Sequence, residues 1–419
     1  MKIRFKLPLS RSRVVSTLAA LSLTCSLWSA NSQSADALEG PPVVIEVAAG
    51  ANLQEAIDRL PESGGMIRLA AGNFEIDHPL IVSTPETRLE GAGASTHLHN
   101  VNENGEPALI LRPKDRESDP KSRLWRVQLG NFRLSGNEKS GAGVLAEGIN
   151  EIFIHGLSVD HHGGHGISLI ECYEDPRIAD SIITYNKDAG VFIQAGHDIV
   201  VNGNHFEENQ DALRCVDSFN LCMNGNNLDD HLGNGVVIEN TYGSVLSGNM
   251  IEECEGTAII LDRDCYGITL SANVIAHDMK GGIDLRDAHG CSISANTFTL
   301  CHEFSVRVGG ASGRLAITGN SFSNSHIGDG QEKRVLEHEK LIQIDMGTGV
   351  IIEGGDHVNV SGNTFSGISM EAIFADEKSK SILVTGNLIT DWHRHGDDDT
   401  PAIKVPSSNG NVMANNLAD

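Results

Sequence analysis

The amino-acid sequence predicts an all-β chain: a right-handed parallel β-helix with three short strands per rung, about a dozen rungs and an N-terminal capping helix. Three observations predict it. A Gly-Asn or Ala-Asn pair recurs with a period near 23 residues. A second motif, G-[IV]-x-[ILV], follows each asparagine by about ten residues. Glycine is abundant, at 45 of 419 residues, and aromatics make up only 5%, a composition that suits short strands and tight turns.

In chain order, the first element is a leader. Lys2, Arg4, Lys6, Arg11 and Arg13 form a basic stretch, an apolar run follows over 14–27, and Ala35-Asp36-Ala37 is an A-x-A-like cleavage site. The run is too short and serine-interrupted for a membrane span. Residues 1–37 are therefore expected to be a signal peptide and 38–419 a single domain, periplasmic or extracellular. Without the five basic and one acidic residues of 1–37, the chain carries 26 basic and 55 acidic side chains, a net of −29. That disfavours nucleic acid and anionic membranes as partners. The oligomeric state stays open. Eight cysteines, seven after the leader, fall at irregular spacing with no CxxC, which fits neither a disulfide framework nor a zinc site. Cys215, at an inward strand position, is expected to be a buried thiol.

Asn52-Leu53-Gln54-Glu55 opens the capping helix with a capping-box-like start, and Leu53, Ala56, Ile57 and Leu60 form its apolar face. A cap is needed because an open solenoid end would expose core and sheet edge.

The repeat follows. Its asparagines fall at 204, 226, 249, 273, 296, 320, 363, 387 and 415, in steps of 22, 23, 24, 23, 24, 43, 24 and 28. Extended backwards, the same position falls on Asp180, Gly156 and Asn131. A sustained period of this length means a solenoid, and asparagines stacked one per rung can hydrogen-bond along the ladder. The second motif appears as Gly190-Val191-Phe192-Ile193, Gly235-Val236-Val237-Ile238 and Gly282-Ile283-Asp284-Leu285.

These repeats, with Gly64-Gly65-Met66-Ile67-Arg68-Leu69 and Gly72-Asn73-Phe74-Glu75-Ile76 after the helix, resemble the pectate lyase-like (pectin lyase-fold) superfamily over about residues 43–417. The resemblance implies a polysaccharide substrate and a cleft along the sheet built by the G-[IV]-x-[ILV] strands. That fold hosts lyases, hydrolases, epimerases and binding proteins, so it does not choose among them.

The outward positions of that sheet carry charge in the middle rungs: Arg214, Glu239, Asp262, Asp284, Arg286, Arg307 and Asp345, with Asp217, Arg263, Asp264 and Asp287 just beyond the strands. With rungs ~4.8 Å apart, Asp262 should neighbour Arg286, and Asp284 should neighbour Arg307. Three chemistries compete. In a glycoside hydrolase, Asp262 and Asp284 act as general acid and base. In a lyase or epimerase on uronic-acid polymers, Arg286 or Arg307 neutralises the sugar carboxylate. Glu239, Asp262 and Asp264 could hold Ca²⁺ through oxygen ligands. The candidate catalytic set is thus Asp262, Asp284, Arg286 and Arg307, with Arg214, Glu239, Asp345 and Trp392 as substrate contacts. The rival reading is a non-catalytic, carbohydrate-binding or surface structural β-helix whose charges pair off as a cross-strand ladder.

A second patch, Asp160-His161-His162-Gly163-Gly164-His165-Gly166, includes a Gly-His-Gly similar to that of polygalacturonases, but the paired aspartates and Arg-Ile-Lys of that family are missing. A metal site from His161, His162 and His165 is weighed against a solvated rim. Insertions at 325–340, helix-like from 331, and at 391–399 precede sheet strands and could wall a cleft. The 43-residue step is read as 12 extra residues before Leu341 and 8 after Ile344. No dinucleotide, P-loop, G-x-S-x-G or H-E-x-x-H motif occurs.

Overall fold

The computed structural model describes residues 43–276, 279–323, 348–394, 396–397 and 399–419. The expected leader, Asp345 and the helix-like stretch of 331–340 lie outside them. Val43–Asp419 form one unit, and it has the expected fold class, an all-β solenoid of three parallel sheets. Sheet I contains the G-[IV]-x-[ILV] strands, 13 from Leu80–Val82 to Ile403–Lys404. Sheet II precedes each asparagine, from Val44–Val47 to Val412–Ala414, and sheet III follows it, from Gly72–Ile76 to Leu417–Ala418. One rung reads Val236–Glu239, Val245–Ser247, Met250–Glu252 in sheets I, II and III.

Each short strand alternates, so its inward residues fill the coil. Val236 and Ile238 are fully buried between rungs, and identical positions stack. Phe298, Phe322 and Phe365 form an interior pile with centroids 4.8 and 4.3 Å apart and planes within 6°. The capping helix is Leu53–Asp58, with the Asn52 side chain accepting the Glu55 N–H at 3.1 Å. Leu53, Ala56 and Ile57 are buried. Gln54 also finishes the edge of sheet I: its Oε1 accepts the Ile81 N–H at 2.8 Å and its Nε2 donates to the Ile81 carbonyl at 3.2 Å. The cap thus covers core and satisfies an edge strand together.

At the turn between sheets II and III, the residue before each asparagine is left-handed, Gly248 at φ 66° and Ala272 at φ 54° among them. This places the asparagine side chain inside. Asn249 Oδ1 accepts both N–H and Nδ2 of Asn226, at 3.1 and 2.9 Å, while its Nδ2 donates to Asn273 Oδ1 and to the Met223 carbonyl. Both side-chain amide atoms of Asn249 are thereby satisfied, as low dielectric demands. Two registers differ from expectation by one residue. Asp180, Gly156 and Asn131 occupy the left-handed position instead, at φ 51°, 61° and 56°, and Ser181 stands next to Asn204, donating its N–H at 3.1 Å. At the far end Asn387 bonds Asn416, and Asn415 takes the left-handed position.

The 43-residue step is also redistributed. Thr348–Ile352 pairs with Phe304–Val308, setting Ile351 beside Arg307. The insertion therefore precedes this strand entirely rather than flanking it.

Candidate functional site

The expected neighbours on sheet I meet. Glu239 pairs in register with Asp262, and Asp284 with Arg307. Outward alternation on adjacent strands brings these side chains to one face, where they form a closed lattice. Arg307 grips Asp284 with two bonds, Nε to Oδ1 at 3.0 Å and Nη2 to Oδ2 at 2.6 Å. Arg286 Nε reaches the same Oδ2 at 2.8 Å, and its Nη1 reaches Asp262 Oδ2 at 3.3 Å. One step on, Glu239 accepts from Arg214 Nη2 at 2.8 Å and from Arg263 Nε at 2.7 Å. Arg214 also touches Asp211 at 3.3 Å, and the Arg307 guanidinium lies 4.4 Å above the Phe304 ring.

This geometry changes the part Asp284 can play. Its side chain is 1% exposed, whereas that of Asp262 is 33% exposed. Burial alone would favour the protonated form, but hydrogen bonds from Arg307 and Arg286 outweigh it and hold the carboxyl below its ordinary range. A general acid needs a raised pKa and an accessible proton; Asp284 has a lowered pKa and both oxygens engaged. Asp284 thus lies between the guanidiniums of Arg286 and Arg307, which bears against a proton-donor role for it. Arg214, Arg263, Arg286 and Arg307 face Asp211, Glu239, Asp262 and Asp284, with Asp217 3.9 Å from Arg263 as a fifth carboxylate.

Two other expectations change. Trp392 is half-buried against the core, and its indole N–H donates to the Thr400 carbonyl at 3.1 Å within its own loop. The oxygen trio Glu239, Asp262 and Asp264 does not assemble. Glu239 is held by two arginines, and Asp264 sits past the strand at φ 58°, accepting from the Tyr242 hydroxyl at 3.3 Å. Among the described residues the group with three converging ligand atoms is Asp229, Asp230 and Glu253, by sheet III.

The histidine patch diverges. His162 turns inside, fully buried with Nε2 3.3 Å from the Leu134 carbonyl, and burial pushes its pKa down to about 4. His165 stacks on Phe192 at 4.6 Å. His161 points out, with Nδ1 2.8 Å from Asp160 Oδ1. It joins a cavity of about 540 Å³ on sheet III lined by His97, His99, Arg133, Ser135, Asp160 and Tyr185. Arg133 binds Asp160 through two bonds of 2.9 Å, and His97 Nε2 lies 2.7 Å from Ser135 Oγ. Sequence reading missed this concavity. The signal was the same outward-position index, applied to sheet I only.

With the geometry established, the chain can be compared with known proteins. A family model described as right handed beta helix region matches residues 121–226, and one described as periplasmic copper-binding protein (NosD) matches 187–338. A search of curated proteins finds no match. Among solved structures, the catalytic unit of a thermostable α-1,3-glucanase from Streptomyces thermodiastaticus superposes with a TM-score of 0.56 at 14% identity, over 91% of this chain and 71% of that one. The A-module of the Azotobacter vinelandii mannuronan C-5 epimerase AlgE4 gives 0.54 at 14%, over 86% and 94%. The periplasmic alginate epimerase AlgG gives 0.52 at 11%, over 90% and 86%. The chain spans 53% of ORF18 of Geobacillus virus E2, with a TM-score of 0.45.

Copper was tested against the side chains present. Copper sites draw on imidazole, thiolate and thioether ligands. Within 187–338, Cys215, Cys254 and Cys265 are buried, and burial pushes their thiols up to about 11, 12 and 12. No three histidines or cysteines converge among the described residues. These residues do not fit a copper centre.

Proposed function

We propose that this chain, a right-handed parallel β-helix of the pectin lyase fold, engages an extended polysaccharide along the outward face of sheet I, in the periplasm or outside the cell. The observation that carries the reading is the Arg–carboxylate lattice. It repeats guanidinium donors and carboxylate acceptors at rung spacing, held in place by mutual pairing. A sugar hydroxyl donates and accepts at once, so such a surface matches it without a costly reorganisation of charged groups. The leader-like N-terminus and the periplasmic labels of the NosD family and AlgG support the location. The fold is shared with proteins named as epimerases and a glucanase, which supports the ligand class.

Turnover is the second reading, favoured by the exposed Asp262 beside the aligned Arg286. In a lyase or epimerase, Arg286 and Arg307 would neutralise a uronate carboxylate while Asp262 takes the C5 proton. In a hydrolase, Asp262 would work with a partner other than Asp284. Either way Asp284 is a positioning residue.

The test is a panel of neutral and acidic polysaccharides, scored for retention in affinity electrophoresis and for product. Reducing ends report hydrolysis, near-ultraviolet absorbance reports elimination, and solvent deuterium at C5 reports epimerisation. Retention of at least one polysaccharide is expected, weakened roughly fivefold or more by Arg286→Ala or Glu239→Gln. A wild-type protein that retains none overturns the reading. Product without loss in Arg286→Ala and Asp262→Asn overturns the turnover assignment.

A further inference from the structure

The lattice on sheet I has a neighbour that no charge argument reveals. Just past the sheet I strands, at the turn toward sheet II, one register position carries His197, Phe219, Tyr242 and Tyr266 on four successive rungs, each bridged to the next in parallel. Of the four tyrosines in the chain, two stand in this short column. Phe219 and Tyr266 are 46% and 57% exposed.

The column differs from the aromatic pile inside the coil. Interior phenylalanines stack with planes within 6° and are almost wholly buried. Outside, His197 meets Phe219 edge-on at 83°, and Phe219 meets Tyr242 at 37° with centroids 5.4 Å apart. Phe219 and Tyr266 keep apolar ring surface in water, beside half-buried His197 and Tyr242. Leaving such surface uncovered forfeits roughly 25 cal/mol per Å² of apolar area, and a pyranose ring supplies a flat C–H face that recovers it.

Polar groups along the column narrow the ligand. The Tyr242 hydroxyl is held by Asn240 at 3.0 Å and Asp264 at 3.3 Å. Asp217 accepts from Asn240 at 2.7 Å, and Asp198 lies 3.2 Å from the His197 ring. Carboxylates line the rings, in a chain of net charge −25. Such a rim accepts hydrogen bonds from hydroxyls and repels uronates. Arg263, which donates to Glu239 in the lattice, also lies 3.9 Å from Asp217 beside the column.

We infer that His197, Phe219, Tyr242 and Tyr266 form a stacking platform for a neutral, hydroxyl-rich polysaccharide that lies lengthwise along the solenoid axis. This rests on the polysaccharide reading of sheet I and names its substrate class and orientation. Three rung steps of ~4.8 Å span ~14 Å, room for about three to four pyranose units in an extended chain.

The experiment is calorimetric titration of the full-length protein with neutral gluco- and manno-oligosaccharides of two to eight units. Matched oligouronates serve as the acidic arm. Neutral chains should bind, with affinity rising up to about four units and then levelling. Phe219→Ala and Tyr266→Ala should each weaken binding roughly three- to tenfold, while Tyr266→Phe keeps it. Ile182→Ala, at an exposed apolar site on sheet III, should leave it unchanged, and melting curves should match wild type in all four. Neutral binding that Phe219→Ala and Tyr266→Ala leave intact overturns the platform but spares the polysaccharide reading. Binding of oligouronates alone overturns the neutral class. Binding of no saccharide in either arm overturns platform and reading together.

Discussion

Asp284 is withdrawn from water yet ionised, because Arg286 and Arg307 supply the solvation that burial removes. Replacing it with Asn leaves two guanidiniums facing each other without their counter-ion. Asp284→Asn should destabilise the fold by about 2–3 kcal/mol at pH 7, below the value for a fully buried pair since both arginines stay partly wet. Its folded pKa lies below the unfolded carboxylate value of about 3.9. The stabilisation is therefore complete above that value and lost as pH falls through the folded one. Denaturant titrations should find the gap between wild type and variant closing below about pH 4; a constant gap at pH 3 refutes the clamp. Two histidines behave in the opposite charge sense. His162 and His231 are fully buried, and burial pushes each pKa down to about 4. Each stays neutral when folded and protonates near 6.5 when unfolded, so stability is full above that value and falls between pH 6.5 and 4. The Asn209 N–H donates to His231 Nδ1 at 3.2 Å, one rung after Asn186 donates to Asn209. An asparagine can continue that column. His231→Asn should remove about 3 kcal/mol of the stability loss between pH 6.5 and 4, read from urea unfolding at several pH values.

At the scale of the element, the turn between sheets II and III depends on two adjacent residues with different duties. The first must be left-handed, and the second must fill the ladder. Ala272 and Ala295 hold φ of 54° and 57°, a conformation that penalises a Cβ. Ala272→Gly should therefore raise stability by about 0.5–1 kcal/mol, seen as a higher melting temperature. Asn273→Ala strands the backbone and side-chain N–H groups of Asn249 and takes from the Asn296 oxygen one of its two donors, and should cost about 2–4 kcal/mol. The Gly-Asn turn was legible in the sequence because both duties are local and repeat. The partners of charged residues were less so. Rung spacing placed Asp284 beside Arg307, but side-chain reach decided that Arg286 would also turn to Asp284. The strand after Arg307 was misplaced because an insertion erases the period that indexes it. The ladder slipped at its end because Asn415 and Asn416 are adjacent and only one can point inward. The cavity around His161 escaped because His97, Arg133 and Asp160 are a rung apart in sequence and adjacent only after coiling.

At the scale of the whole molecule, each rung touches only its neighbours, so protection grows with distance from the ends. Cys172, Cys215, Cys254, Cys265 and Cys291 are buried, whereas Cys222 is half-buried. Thiol labelling of the native protein should modify Cys222 first and leave these five unreacted until denaturant opens the coil; fast labelling of Cys215 would contradict the packing. The asparagine ladder adds a property that belongs to no single rung. From the Ser181 N–H on Asn204 to Asn387 on Asn416, each ladder Oδ1 faces the N-terminal side and accepts from the rung before it. The amide dipoles add instead of cancelling. The solenoid thus carries an electrical arrow along its axis, and a coil laid on backwards would set donor against donor. Its interior grammar admits growth in one sense only, head to tail.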